Sequence, residues 1–365
     1  MRRHSPTPTR RCPFPDCPSR ARSRTNGIVR HGYMRSRHGS RLRLLCRTCN
    51  RTFCGRRGTA YYRLQHPRSD FDRFVALLSE GMSCAGLARA LDVCPGTISR
   101  WLERAAKHAR TFGEEFDRVP DPVELQLDEI SARPASQPAS PWIFNAIEVS
   151  TRYWAAALVG GRTRRATRAF VLRARNACPS LHTRLLITSD PFPYYEQALR
   201  QTFGPACVYA QVENSYGQDR VHRTTTTVVL GSRNELDSIL AISEDSKRPN
   251  TAYVERLNLH LRRSCSYLHR RTSGRVRNPE RLASVVEIVR CSYNFIRPHA
   301  RLRLGHQERT PAMQAGIFAR VLSWRSVFAW PAPPPKPVLA PTIRLPSWPP
   351  RRRRAWERRD SLTGM

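Results

Sequence analysis

The chain has 365 residues, with 63 Lys and Arg against 28 Asp and Glu, for a formal net charge of +35. A charge of that sign and size steers a protein toward polyanions, most often nucleic acid; no segment approaches the roughly 18 apolar residues of a membrane span. The basic start, MRRHSPTPTRRCPFP, is followed by no apolar run, so no secretory signal is expected, and length and an odd count of eleven cysteines argue against a secreted disulfide scaffold.

Five of those cysteines fall within the first 54 residues. Cys12 and Cys17 form a C-x4-C knuckle, and Cys46 and Cys49 a C-x2-C knuckle. Paired knuckles of this kind supply the four thiolates of a tetrahedral Zn²⁺ site. Between them GIVRHG and RLRLLC read as two short strands, whose hairpin would bring the knuckles together. Cys54 is a fifth thiol within reach, and His31 and His38 are possible substitute ligands. Residues 1–70 hold 18 Arg and two acids, Asp16 and Asp70. So little apolar content suits a module that folds on one structural zinc ion, and residues 1–66 are assigned to it.

After Pro67 the periodicity becomes helical. Phe71, Phe74, Val75, Leu77 and Leu78 define one apolar face, which Gly81 closes. Ser83 is placed to cap CAGLARALDV, and Pro95 to start PGTISRWLERAAKHAR. Two short helices and a tight turn before a third match a helix-turn-helix over residues 67–118. In that arrangement Thr97, Ser99 and Arg100 lie near the start of the helix that enters the major groove of double-stranded DNA.

From residue 119 the pattern is α/β. In VELQLDEI the apolar Val123, Leu125 and Leu127 alternate with Glu124, Gln126 and Asp128, which places Asp128 on the opposite face of a strand. WIFNAIEV and YWAAALV follow as a hairpin turning at 150–152. A helix over 163–177 precedes the buried strand LLITSD, which Asp190 ends at the carboxyl end, where α/β sheets bind ligands. A helix, YYEQALRQTFG, and a strand, CVYAQVE, complete the order. Three meandering strands and then α–β–α–β is the order of a ribonuclease-H-like fold, assigned to residues 119–322. On a later helix Val254, Leu257, Leu261 and Leu268 form the buried stripe, while Glu255, Asn258 and Arg262 share another face. Carboxylates are the hard ligands that Mg²⁺ prefers. Asp128, Asp190 and Glu255 therefore form a candidate site for two Mg²⁺ or Mn²⁺ ions, with Glu129, Glu148, Glu213 and Asp245 as competing ligands. Asn278 and Pro279 begin a final helix, with Leu282, Val285, Val286 and Val289 facing inward. Residues 323–365 read as a Pro/Arg-rich disordered tail.

Several stretches together resemble one family. CPFPDC, CRTCNRTFCGRRGT, LARALDVCPGTISRWL, LQLDE, ITSD, NTAYVERLNLHLR, YNFIRPHARL and RTPAMQAGI make residues 12–317 similar to bacterial insertion-sequence DDE transposases, of the insertion-sequence-one type. The resemblance implies metal binding by Asp128, Asp190 and Glu255, with Arg262 as the helix basic residue and Asn258 beside it. It also implies cleavage of the element's terminal inverted repeats and strand transfer into target DNA, by a homodimer or higher oligomer in the cytoplasm, on the nucleoid, with no membrane partner. Pro191 follows Asp190 where a small, flexible residue is usual, and SARPASQPASP reads as a loop. A decayed copy that only binds DNA is thus the alternative, and a simple nuclease of RNA–DNA hybrids a third.

Overall fold

The computed structural model describes residues 12–14, 16–18, 27–36, 39–135, 140–181, 183–217, 220–270 and 274–331. His38, residues 136–139 of the 131–141 stretch and the chain beyond residue 331 lie outside them.

Three antiparallel strands open the structure: β1 (Ile28–Ser36), β2 (Gly39–Cys46) and β3 (Thr52–Cys54), in the order β1-β2-β3. The expected hairpin pairs Ile28 with Cys46 and so carries one knuckle to the sheet's end. Its own core is small: Leu44 and Phe53 with four buried or half-buried cysteines, flanked by Phe14, Ile28 and Leu42.

Three helices follow, α1 (Arg68–Ser79), α2 (Cys84–Ala90) and α3 (Pro95–Phe116). The Ser83 hydroxyl accepts the Gly86 amide at the start of α2, and Pro95 opens α3, where its missing amide costs nothing. Gly81 ends α1 at φ +97°, and a Cβ there would come within 2.5 Å of the Arg263 carbonyl oxygen. Only glycine satisfies both demands.

The larger sheet contains β4 (Glu124–Ser131), β5 (Trp142–Glu148), β6 (Trp154–Gly160), β7 (Leu185–Ser189), β8 (Cys207–Gly217) and β9 (Arg220–Leu230). Its order is β6-β5-β4-β7-β8-β9. The pairs β4–β5, β5–β6 and β8–β9 are antiparallel, whereas β4–β7 and β7–β8 are parallel. In the tight turn between β5 and β6 Arg152 has φ +60°, and the buried Glu148 carboxylate accepts the Ser150 and Thr151 amides at 3.2 and 2.8 Å. Glu148 is thereby committed to the turn rather than to a metal.

Helices α4 (Arg164–Ala177) and α5 (Tyr195–Thr202) cover one face, where Phe144 of β5 meets Phe170 of α4. On the other lie α6 (Arg233–Ile242) and α7 (Ala252–Ser264): Leu236, Ile239 and Leu240 pack on Leu186 and Val208, while α7 packs across β4 and β5. That second face is the one bearing Glu124, Gln126 and Asp128. The alternation in VELQLDEI therefore separates two buried faces, with Glu124 and Gln126 2% and 0% exposed.

Helix α8 (Pro279–Cys291) runs against α3 and the edge strand β6, then a single π-turn spans Ser292–Ile296. Asn278 caps α8, and Leu282, Val285, Val286 and Val289 are all buried. From the π-turn Asn294 accepts the Trp154 amide at 2.9 Å and donates to the Trp154 carbonyl at 3.0 Å. One side chain thus substitutes for a neighbouring strand at the sheet's edge.

The short helices α9 (Pro311–Gln314) and α10 (Trp324–Ala329) are the last elements among the described residues. Helix α10 corrects the expectation of disorder from residue 323. Val327 and Phe328 are fully buried, the Ala60 amide donates to the Phe328 carbonyl, and His108 of α3 lies 3.0 Å from the Val327 carbonyl. Burial pushes the His108 imidazole down to about 4, so at neutral pH it is uncharged and can donate that bond.

Helices and sheet share one continuous core, from Ala60 to Phe328. A buried polar knot ties them. The Arg290 guanidinium meets Asp117, at the end of α3, and Glu287, each at 2.7 Å, while the Tyr153 hydroxyl donates to Asp117. Removing a buried cation strands its partners, at a cost of about 3–5 kcal/mol. Denaturant unfolding of Arg290→Met should show a loss of that size, and a change under ~1 kcal/mol would mean that the knot contributes little.

Candidate active site and metal centre

Asp128 and Asp190 follow Leu127 and Ser189, which are register partners on the parallel strands β4 and β7. Strand pairing therefore puts the two aspartates at neighbouring places on adjacent strands, near enough for the Asp190 charge to act on Asp128. Glu255 stands in the first turn of α7, against the same face of β4. Gln126, two residues before Asp128 on that face, fixes the helix: its side-chain oxygen accepts the Tyr253 and Val254 amides at 2.8 and 3.2 Å. Its amide nitrogen donates to Asn250 and Glu124, at 3.1 Å each. One strand thus carries an aspartate and the cap that positions the glutamate's helix. Gln126→Leu should orphan two buried amides and cost about 1–3 kcal/mol, measured by denaturant unfolding. Unchanged stability would discount the cap.

Three polar residues hold the carboxylates. Asp128 accepts the Glu129 amide at 2.7 Å and the Asn258 side chain at 2.6 Å, and Asn258 in turn accepts from Asn145 at 2.8 Å. Asn145 is the cross-strand partner of Asp128 on β5 and is fully buried. Thr251 donates its hydroxyl proton to Glu255 at 2.7 Å. Arg262 is half-buried, two turns beyond Glu255 along α7.

The electrostatics are those of crowded anions. Burial, then the nearby Asp190 charge, pushes the Asp128 carboxyl up to about 7, against the hydrogen bonds from Glu129 and Asn258. Burial and then Glu255 raise Asp190. None of the three forms an ion pair among the described residues, in a chain of net charge +35. The competing acids are placed otherwise. Glu129 turns to the α4–α5 face, where Arg162 holds it at 2.6 Å and Tyr195 donates at 3.1 Å. Asp245 pairs with Arg152 at 2.7 Å, and Glu213 is exposed on β8. Carboxylates that raise one another's pKa suit a hard divalent cation, but among the described residues the one group of ligand atoms that closes tightly is the set of thiols described next.

Among the described residues one set of ligands closes tightly: the sulfurs of Cys12, Cys17, Cys46 and Cys49 all lie within 4.8 Å of one another. Cys12 and Cys49 are 3.7 Å apart, as are Cys17 and Cys46. A tetrahedron with zinc–sulfur bonds of about 2.3 Å has sulfur–sulfur edges of about 3.8 Å. The four cysteines could therefore hold one zinc ion. Backbone turns aim them: the Cys17 amide donates to the Phe14 carbonyl, the Cys46 amide to that of Arg51, and Asn50 takes φ +52° after the second knuckle. Arg51 joins the knuckles, pairing with Asp16 at 2.7 Å and stacking 4.1 Å from the Phe14 ring centre. Cys54 and His31 are outside the set, with His31 exposed on β1.

At the start of α3, Thr97 is buried, and its hydroxyl accepts from Arg100 at 3.1 Å. Ser99 donates to the Pro95 carbonyl and accepts from Arg281 of α8, each at 3.0 Å. Of the three expected contact residues Arg100 is the exposed one.

No protein-family model matches the chain, and no curated protein is similar to it. No helix among the described residues is long and apolar enough to cross a membrane.

Proposed function

We propose that this chain is a DDE-type transposase, with a ribonuclease-H-like catalytic domain behind a zinc ribbon and a helix-turn-helix. The observation that carries the reading is the placing of Asp128 and Asp190 on adjacent parallel strands, within electrostatic reach of each other and of Glu255, with no cationic partner among the described residues. Strand order supports the fold: β6-β5-β4-β7-β8 has an antiparallel meander on one side and parallel strands on the other, with β9 added at the far edge. The sequence resemblance supports the substrate, which is double-stranded DNA carrying the element's terminal repeats.

Asp128, Asp190 and Glu255 would hold two Mg²⁺ or Mn²⁺ ions. Bound there, such ions lower the pKa of the attacking hydroxyl and neutralise the leaving oxygen of a phosphodiester. The Glu129 amide and Asn258 each hold one Asp128 oxygen, which leaves the remaining lone pairs of that carboxylate to a ligand. Thr251 orients Glu255, and Gln126 keeps α7 seated on β4. Arg262, two turns along the same helix, would steady a phosphate. Cys12, Cys17, Cys46 and Cys49 would hold the structural zinc, whose module would add basic surface to the DNA-binding face.

The test is direct. Purified chain, zinc-loaded and supplied with Mg²⁺ or Mn²⁺, should nick duplexes made from the DNA flanking its own gene, and should join the freed 3′ ends to a second duplex. Selective binding without cleavage would replace this reading with that of a DNA-binding remnant. Cleavage of RNA–DNA hybrids with no preference for DNA ends would replace it with a simple nuclease. Overall affinity should fall steeply with salt, because many Arg neutralise phosphates. A flat salt response in a binding titration would rule out backbone contact as the main source of affinity.

A further inference from the structure

A cleft of about 280 Å³ lies between the three-stranded sheet and the first helix, away from both sites above. Three arginines from three separate segments line it: Arg41 of β2, Arg56 in the turn after β3, and Arg68, the first residue of α1. Ser40, Thr59 and Tyr61 add polar groups to the wall. All three arginines are half-buried, and none forms an ion pair among the described residues. The Arg41 Nε is buried with no hydrogen-bond partner. Asp72 is the nearby acid, and the Tyr61 hydroxyl engages it at 2.5 Å.

An unpaired buried guanidinium nitrogen costs free energy, and so does crowding three like charges. Burial, and then the positive fields of Arg68 and Arg41, lower the Arg56 pKa, with the Cys54 thiol working the other way. A bound anion relieves both costs at once. Guanidinium groups converging from several directions match the oxygens of a phosphate better than the single plane of a carboxylate.

We infer that the Arg41–Arg56–Arg68 cleft is a phosphate-binding site that seats one phosphate of the DNA backbone between ribbon and helices. The site itself stands on this geometry; the choice of a DNA phosphate over a free one rests on the function proposed above.

The full-length, zinc-loaded chain is compared with Arg56→Gln/Arg68→Gln in two assays. One follows binding to a labelled duplex of arbitrary sequence across a salt series. The other follows inorganic phosphate by calorimetry. Loss of one phosphate contact should reduce the slope of log K against log salt by about one and the affinity about fivefold near 0.15 M salt. Phosphate binding should disappear in the same variant. Arg56→Lys/Arg68→Lys, which keeps the charge, should retain most of the slope. Arg165→Gln/Arg168→Gln, on the exposed surface of α4, controls for net charge and should change the slope less. The melting temperature of the pocket variant should stay level or rise, since like charges are removed.

An equal effect from the α4 pair, or a clear fall in melting temperature, would overturn the site by making the effect general or structural. No change in either binding assay would also overturn it, while leaving DNA cleavage by the wild-type chain to stand. Loss of inorganic phosphate binding alone, with duplex binding unchanged, would uphold the phosphate site and reject DNA as its source.

Discussion

Asp190→Ala should lower DNA cleavage on the order of 10³-fold, about 4 kcal/mol of barrier, while duplex binding stays within about twofold. Asp190 is exposed at the end of β7 with only its carboxyl partly enclosed, and it forms no ion pair among the described residues, so its removal opens no cavity in the core. It does remove a negative charge beside Asp128. The linkage has a definite sign. Asp128 titrates near 7 in the metal-free fold and near 3.9 when unfolded. Between those values the native state holds the extra proton, so metal-free stability falls as pH rises from about 4 to 7. The Asp128 contribution to that fall is on the order of a few kcal/mol, and Asp190→Ala should reduce it. The metal-free variant should therefore melt at the same temperature or higher at pH 8, although it has lost catalysis. Mg²⁺ should raise the wild-type melting temperature more at pH 8 than at pH 5.5, because the ion competes with the proton. Retained cleavage by Asp190→Ala would remove this aspartate from the site. A large drop in its stability would mean that its role is structural.

Periodicity made much of this frame readable in advance. The apolar stripe of α7, with Val254, Leu257 and Leu261 buried, left Glu255, Asn258 and Arg262 on a shared face. The capping pairs at Ser83 and at Asn278–Pro279 marked real helix starts. What escaped was polar chemistry inside apolar surroundings. Gln126 and Asn145 look like ordinary polar positions in strands, yet both are fully buried and both organise the candidate site. The signal in Asn145 was its isolation within WIFNAIEV, since an unpartnered amide in an apolar strand is costly. Only tertiary structure identifies Asn258 as the partner that offsets that cost.

Other misses have the same origin in long-range packing. The hairpin of β8 with β9, and α6 beyond it, fell between recognised motifs, although RTTTTVVL is rich in β-branched residues. Thr97 shares the buried stripe of Ile98 and Trp101, so a count of positions from the start of α3 misjudged its direction. Helix α10 sits just ahead of a Pro-rich run, and what holds it is Phe328 packing against Tyr61 and Phe71, more than 250 residues away in sequence. No local composition reports such a contact.

Cys46→Ser should reduce bound zinc from one ion per chain to nearly none and unfold the three-stranded module with it. The expected size follows from how little else holds that module. Among the described residues Leu44 and Phe53 are its two buried residues other than cysteines, and β3 has three residues. Apparent zinc-binding energies of about 10–16 kcal/mol in comparable small domains exceed anything so few apolar side chains supply. Cys46 is fully buried, and its sulfur faces Cys17 at 3.7 Å, so a serine there shortens the reach and withdraws a thiolate. Cys54→Ser is the matched control, because Cys54 lines the arginine cleft instead of the thiol cluster, and it should keep the full zinc content. Elemental analysis reads the zinc, and protease sensitivity between residues 27 and 54 reads the fold. The core from Ala60 onward contains its own buried aromatics, Tyr61, Phe71, Phe74 and Trp101, and should melt separately and largely unchanged. Full zinc content in Cys46→Ser would move the metal to other ligands. Loss of zinc without new cleavage sites would mean that the ribbon folds without it.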